Sequence, residues 1–127
     1  MLYLDANVFI YAAINTQEIG EKARALLQKI QQAAPSVLTF DEVFWSIKKL
    51  KPELAQETSY ALLNFPNLEI IPADRKLALS ALKIINEYNL APRDALHAAT
   101  AIASKADCVV STDAHFDKIK ELTRQPL

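Results

Sequence analysis

Five acidic residues have the type and placement to share one chemistry. They are Asp5 in MLYLDANVFI, Glu42 in TFDEVF, Asp94 in PRDALHAA, and Asp113 and Asp117 in STDAHFD. Asp5 is the least ordinary, because a carboxylate set among apolar neighbours is costly unless it is paired or meets a cation. Carboxylates gathered at one point repel, so such a group needs protons or cations. Carboxylate-only donors suit a hard ion such as Mg²⁺ or Mn²⁺. His97, His115 and Cys108 do not form a zinc spacing. Two hard ions ~3.5–4 Å apart activate water and stabilise a leaving oxygen in phosphodiester hydrolysis.

Each acid also has a plainer use. Glu42 and Asp94 suit the first turn of a helix, where the dipole favours them. Asp113 suits the cap of a helix starting at Ala114, and Asp117 can pair with Lys118 or Lys120. Those uses suffice for Asp94, Asp113 and Asp117 taken singly. All five at one edge of one sheet would be a coincidence. The remaining acids fit turns, caps or solvated faces, with Asp107 at the opposite strand end and Asp74 as a cap.

The elements that must position these residues alternate between short β-like runs and longer helical ones. Strands are predicted at Leu2–Leu4, Ser36–Thr39, Leu68–Ile71 and Asp107–Ser111, with a further edge strand at the C-terminal end. Helices are predicted from Asn7, as N-cap, to about Ile14, over Gln17–Ala33, through Phe40, Val43, Phe44 and Ile47, and from Pro52 to about Leu63. Others follow from the Asp74 cap, from Pro92 to about Ser104, and over Ala114–Lys120. This alternation predicts a three-layer α/β/α sandwich with a mostly parallel sheet of four to five strands. Sites in such sheets form at the carboxyl ends of the strands, where Asp5, Glu42 and Asp113 fall. Asp94 reaches that edge only if its helix starts nearby.

A chain of 127 residues with 51% hydrophobic and 23% charged content is expected to form a single globular domain, residues 1–127. Its one glycine, Gly20, excludes Gly-rich phosphate loops. The lone cysteine suits a reducing compartment, and the apolar start lacks the basic region of a signal peptide, so a cytoplasmic location away from membranes is expected. A net charge of −1 gives no global attraction to nucleic acid, which would need a local basic patch. Lys48, Lys49 and Lys51, Arg75 and Lys76, and above all Arg93 beside Asp94, are the candidates. Phe44 and Trp45 are assigned to core or dimer contacts, and neither histidine to catalysis.

LDAN at Leu4–Asn7, Glu42 after Leu38–Thr39, PRDALHAA from Pro92 and STDAHFD from Ser111 together resemble the PIN-domain family, in particular the small prokaryotic VapC-type toxins. The likeness spans nearly the whole chain. It implies strand order 3-2-1-4-5 and a Mg²⁺- or Mn²⁺-dependent endoribonuclease that cleaves single-stranded RNA with a metal-activated water. By position, Asp5, Glu42, Asp94 and Asp113 match the family's acidic quartet, with Asp117 at a metal-site position that only some members keep acidic. Asn7 and Thr112 match supporting residues. Homodimers and an antitoxin partner are also implied. Two alternatives stand beside this reading: a catalytically silent binding or dimerisation module of the same fold, and a metal-dependent DNA nuclease or phosphatase.

Overall fold

The computed structural model describes residues 1–127. Strand β1 (Leu2–Leu4) leads directly into helix α1 (Ala6–Ile14), and α2 (Glu18–Lys29) returns the chain to β2 (Ala33–Ala34). Helix α3 (Val37–Leu50) follows, then a 3-10 turn at Pro52–Leu54 and α4 (Ala55–Leu63). After α5 (Arg75–Tyr88) and α6 (Pro92–Ala103) come β3 (Cys108–Val110), a 3-10 turn at Ala114–Lys118 and β4 (Arg124–Gln125).

The sheet is parallel throughout, in the order β2-β1-β3-β4. Leu68 and Ile71 add isolated parallel bridges to Ala33 and Ser36, outside β2. Counting that segment as the third strand in sequence gives the order 3-2-1-4-5. It does not form a full strand, because Pro35 has no N–H to give. Ala33 N–H to Asn67 O at 3.0 Å, Glu69 N–H to Ala33 O and Ile71 N–H to Pro35 O, both 2.9 Å, and Val37 N–H to Ile71 O join the two segments.

Side chains of the two central strands alternate between two cores. Leu4, Cys108 and Val110 pack with Val8, Phe9, Val43 and Ile47 on the α1–α4 side. Tyr3 and Val109 pack with Leu77, Ala81, Ala95, Ala98 and Phe116 on the α5–α6 side. The predicted three layers are therefore present.

Three boundaries differ from those predicted, each for a local reason. Asp5, not Asn7, caps α1, accepting from Ala6 N–H at 2.8 Å. Helix α2 stops at Lys29 rather than Ala33, since Pro35 holds Ala34 extended and the two alanines are buried against β1. The predicted strand Ser36–Thr39 is the start of a helix. The Ser36 and Thr39 side chains form a capping box that overrides the β preference of Val37 and Leu38. The caps at Asp74 for α5 and Pro92 at the start of α6 are found where predicted.

Candidate metal centre

The parallel register brings residues from distant parts of the chain to one edge. Leu4 pairs with Val110, so Asp5 and Ser111 emerge side by side at the carboxyl ends of the two central strands. Asp5 N–H donates to Val110 O at 3.1 Å, and Ser111 Oγ donates to Asp5 Oδ2 at 2.6 Å. The same Oγ accepts from Asp113 N–H at 2.9 Å. One serine therefore holds the Asp5 carboxylate and the backbone that carries Asp113. Asp113 in turn caps the following 3-10 turn through His115 N–H.

Helix α3 begins beside β2 and carries Glu42 in its second turn, one turn further from the strand than predicted. Helix α6 starts at the same edge, with Asp94 in its first turn and His97 one turn on. Ligand-capable atoms of Asp5, Glu42 and His97 lie within 4.8 Å of one another, as do those of Asp94, Asp113 and His115. Asp5 is 6% exposed, while Glu42, Asp94 and Asp113 keep their side chains partly open to solvent.

The electrostatics express the crowding. Burial pushes the Asp5 carboxyl above its ordinary range, against the opposing pull of the Ser111 hydrogen bond and His97. Burial also raises Asp94, helped by the nearby Asp113 carboxylate and, more weakly, by Asp5. His115 Nδ1 sits 2.8 Å from Asp113 and 3.8 Å from Asp94. Four carboxylates on hard oxygen donors, two of them disfavoured as bare anions, fit a divalent cation such as Mg²⁺ or Mn²⁺.

A family profile described as "PIN domain" matches residues 2–122. The chain belongs to the PIN domain family. Its fold is similar to that of Mycobacterium tuberculosis VapC20, a sarcin-ricin loop cleaving toxin, with a TM-score of 0.81 and 12% identity over 92% of this chain and 93% of that one. It is also similar to a chain of a toxin–antitoxin complex from Klebsiella pneumoniae, with a TM-score of 0.76 and 25% identity over 97% of this chain and 96% of that one. For VapBC2 of Rickettsia felis, bound to a DNA fragment from its promoter, the values are 0.75 and 24%, over 99% and 98%. No curated protein matches the chain in sequence.

Within this PIN domain, Asp5 and Glu42 fall in one grouping and Asp94 and Asp113 in a second, linked by the repulsion between Asp5 and Asp94, and Asn7 Nδ2 reaches Thr112 Oγ1 at 3.4 Å. Asn7 thus links α1 to the segment after β3 rather than touching the Asp5 carboxylate. Asp117 stands outside both groupings. Its two oxygens take Arg124 Nε and Nη2 at 2.8 and 3.1 Å, not Lys118 or Lys120, and that guanidinium holds its carboxyl low. Asp107 is at the other end of β3, bound to the N-terminal ammonium.

Arg93 is exposed beside Asp94. Lys49 follows Glu42 by seven residues, two turns along the same face of α3, and Lys48 Nζ lies over the Phe44 and Trp45 rings at 5.7 Å. Phe44 packs against the core, but Trp45 is 54% exposed and no part of it. Sequence reasoning missed Ser111 and the bonding of His97. The register of two parallel strands was the signal for Ser111, one residue past Val110 as Asp5 is one past Leu4.

Proposed function

We propose that this chain is a divalent-metal-dependent endoribonuclease acting on single-stranded RNA, and the toxin of a toxin–antitoxin pair. The observation that carries this reading is the convergence of the Asp5, Glu42, Asp94 and Asp113 carboxylates at one sheet edge. Mg²⁺ or Mn²⁺ bound there supplies a Lewis acid for the phosphodiester and an activated water. Asp5, Asp94 and Asp113 hold the cation, and Glu42 completes the set or orients the water. Ser111 holds the Asp5 carboxylate and the backbone N–H of Asp113, and the Asn7–Thr112 contact ties α1 to the segment that carries Asp113. Arg93 on α6, beside Asp94, and Lys48 and Lys49 on α3, beyond Glu42, are the cations for RNA phosphates.

The toxin reading is supported by the similarity to VapC20 and to toxin–antitoxin complexes. Unfilled apolar surface is available for partner chains. A cleft of about 290 Å³ between α1, α2 and α4 is lined by Phe9, Ala12, Leu27, Leu54, Leu62 and Phe65, which suits an antitoxin segment. Leu79 and Leu82 stand exposed on α5, a face suited to a second copy.

Thermal unfolding with and without Mn²⁺, alongside cleavage assays on single-stranded RNA, single-stranded DNA and small phosphate esters, tests the proposal. A rise in Tm with Mn²⁺ that disappears in Asp113→Ala, together with cleavage of RNA alone, is the expected result. No shift would leave a silent binding module, and preference for DNA or esters would replace the substrate.

A further inference from the structure

His97 is almost completely buried, yet it is not packed as an apolar side chain would be. Its ring bridges two polar groups on opposite sides. Tyr3 Oη lies 2.6 Å from Nδ1, and Glu42 Oε1 is hydrogen-bonded to Nε2. Tyr3 is itself wholly buried on the central strand, and its hydroxyl is within reach of the Ser36 and Thr39 hydroxyls that cap α3. In the tautomer where Nε2–H donates to Glu42 Oε1, Nδ1 is left to accept from the Tyr3 O–H. Rotating the ring would strand both partners in a buried setting. The Glu42 side chain makes no other hydrogen bond, so its second oxygen is uncommitted.

We infer that His97 is a positioning residue. Anchored by Tyr3, it fixes one oxygen of Glu42 and so presets the other for the cation or water of the site. Three elements meet in this arrangement: β1 supplies Tyr3, α6 supplies His97, and α3 supplies Glu42. The inference rests on the proposed metal-dependent reading, since it assigns Glu42 its orientation within that site. A direct role of His97 as a ligand would require Nε2 to give up the Glu42 hydrogen bond that now defines its place.

The test is a double-mutant cycle on Mn²⁺ affinity, measured by calorimetry on the full chain, with circular dichroism to check folding. His97→Leu is expected to weaken Mn²⁺ binding ~10–100-fold, the range for residues that orient ligands. In a Glu42→Gln background the same change should cost nothing further. His97→Gln, which keeps an N–H for Glu42, should recover most of the loss, and Tyr3→Phe should weaken binding less than His97→Leu. If His97→Leu fails to fold, His97→Gln and Tyr3→Phe in the two Glu42 backgrounds carry the test. Losses that add across the cycle would make His97 an independent ligand and overturn the inference. A lowered Tm with unchanged Mn²⁺ affinity would also overturn it, since the ring would then only fill space. A metal-free readout separates the two readings: a downfield imidazole N–H proton resonance, present in the wild type and displaced in Glu42→Gln. If wild type binds no Mn²⁺ but keeps that resonance, the metal-dependent reading fails while the His97–Glu42 link stands. Without the resonance, the link itself is refuted.

Discussion

Asp5 holds two tasks that pull against each other. Its Oδ1 caps α1 and its Oδ2 takes the Ser111 hydroxyl, both stabilising, while its burial penalises the charge. An acid whose carboxyl is raised in the folded state stabilises the fold when protonated, and that contribution is lost as pH rises through the folded value. Once ionised, Asp5 is therefore a cost that a cation would offset. Asp5→Asn keeps an acceptor for Ala6 N–H and a polar partner for Ser111. We expect it to abolish metal-dependent cleavage and yet raise the metal-free Tm at pH 7. The gain should shrink as pH falls and wild-type Asp5 takes up its proton, and melting curves across pH 4–8 check the sign. A Tm below wild type at pH 7 would contradict this account. Mn²⁺ stabilisation of the wild type should likewise weaken toward low pH, since protons compete for Asp5 and Asp94.

Short elements do the positioning, and their ends matter more than their middles. Gly20 in α2 shows why the chain keeps its one glycine there. A Cβ at that position would lie 2.1 Å from the Asn15 carbonyl oxygen, a backbone atom at the α1–α2 corner. Gly20→Ala should therefore destabilise the fold by ~1–3 kcal/mol, as overpacking does, measured by urea unfolding. Ser36→Ala removes the α3 cap and should cost ~1 kcal/mol, loosening the helix that carries Glu42. Much of this architecture was legible in the sequence. Asp74, Pro92 and the valines of β3 announced their elements, because caps and β-branched runs act locally. The start of α3 was misread because Val37 and Leu38 look like strand residues, and only the paired hydroxyls of Ser36 and Thr39 reveal the cap. Asp5, Glu42, Asp94 and Asp113 were legible by type and strand-end position. The Tyr3–His97–Glu42 chain was not, since it joins residues 94 and 55 positions apart that only packing brings together.

Across the whole molecule, the charge distribution sets how RNA would be held. The net charge is −1, and no helix is long and apolar enough to cross a membrane. Attraction to a polyanion must then be local, from cations such as Arg93 and Lys49 near an edge that is itself acidic. Each phosphate neutralised on a single strand contributes ~0.7 to the slope of log affinity against log salt. Arg93→Ala and Lys49→Ala, made in the cleavage-dead Asp5→Asn chain, should each flatten that slope by about this amount. Fluorescence anisotropy with a labelled single-stranded RNA across a salt series measures it. An unchanged slope in both would move the RNA track elsewhere on the surface.

The central place of β1 has a consequence in time. Its neighbour β3 lies more than a hundred residues later in the chain, and the second oxygen of Asp5 gains its Ser111 partner only then. A growing polypeptide therefore carries Asp5, Glu42 and even Asp94 before Ser111 and Asp113 can join them. Long-range parallel pairing of this kind is slow and late to form. A product ending before Cys108 lacks Ser111 and Asp113 and should bind no Mn²⁺.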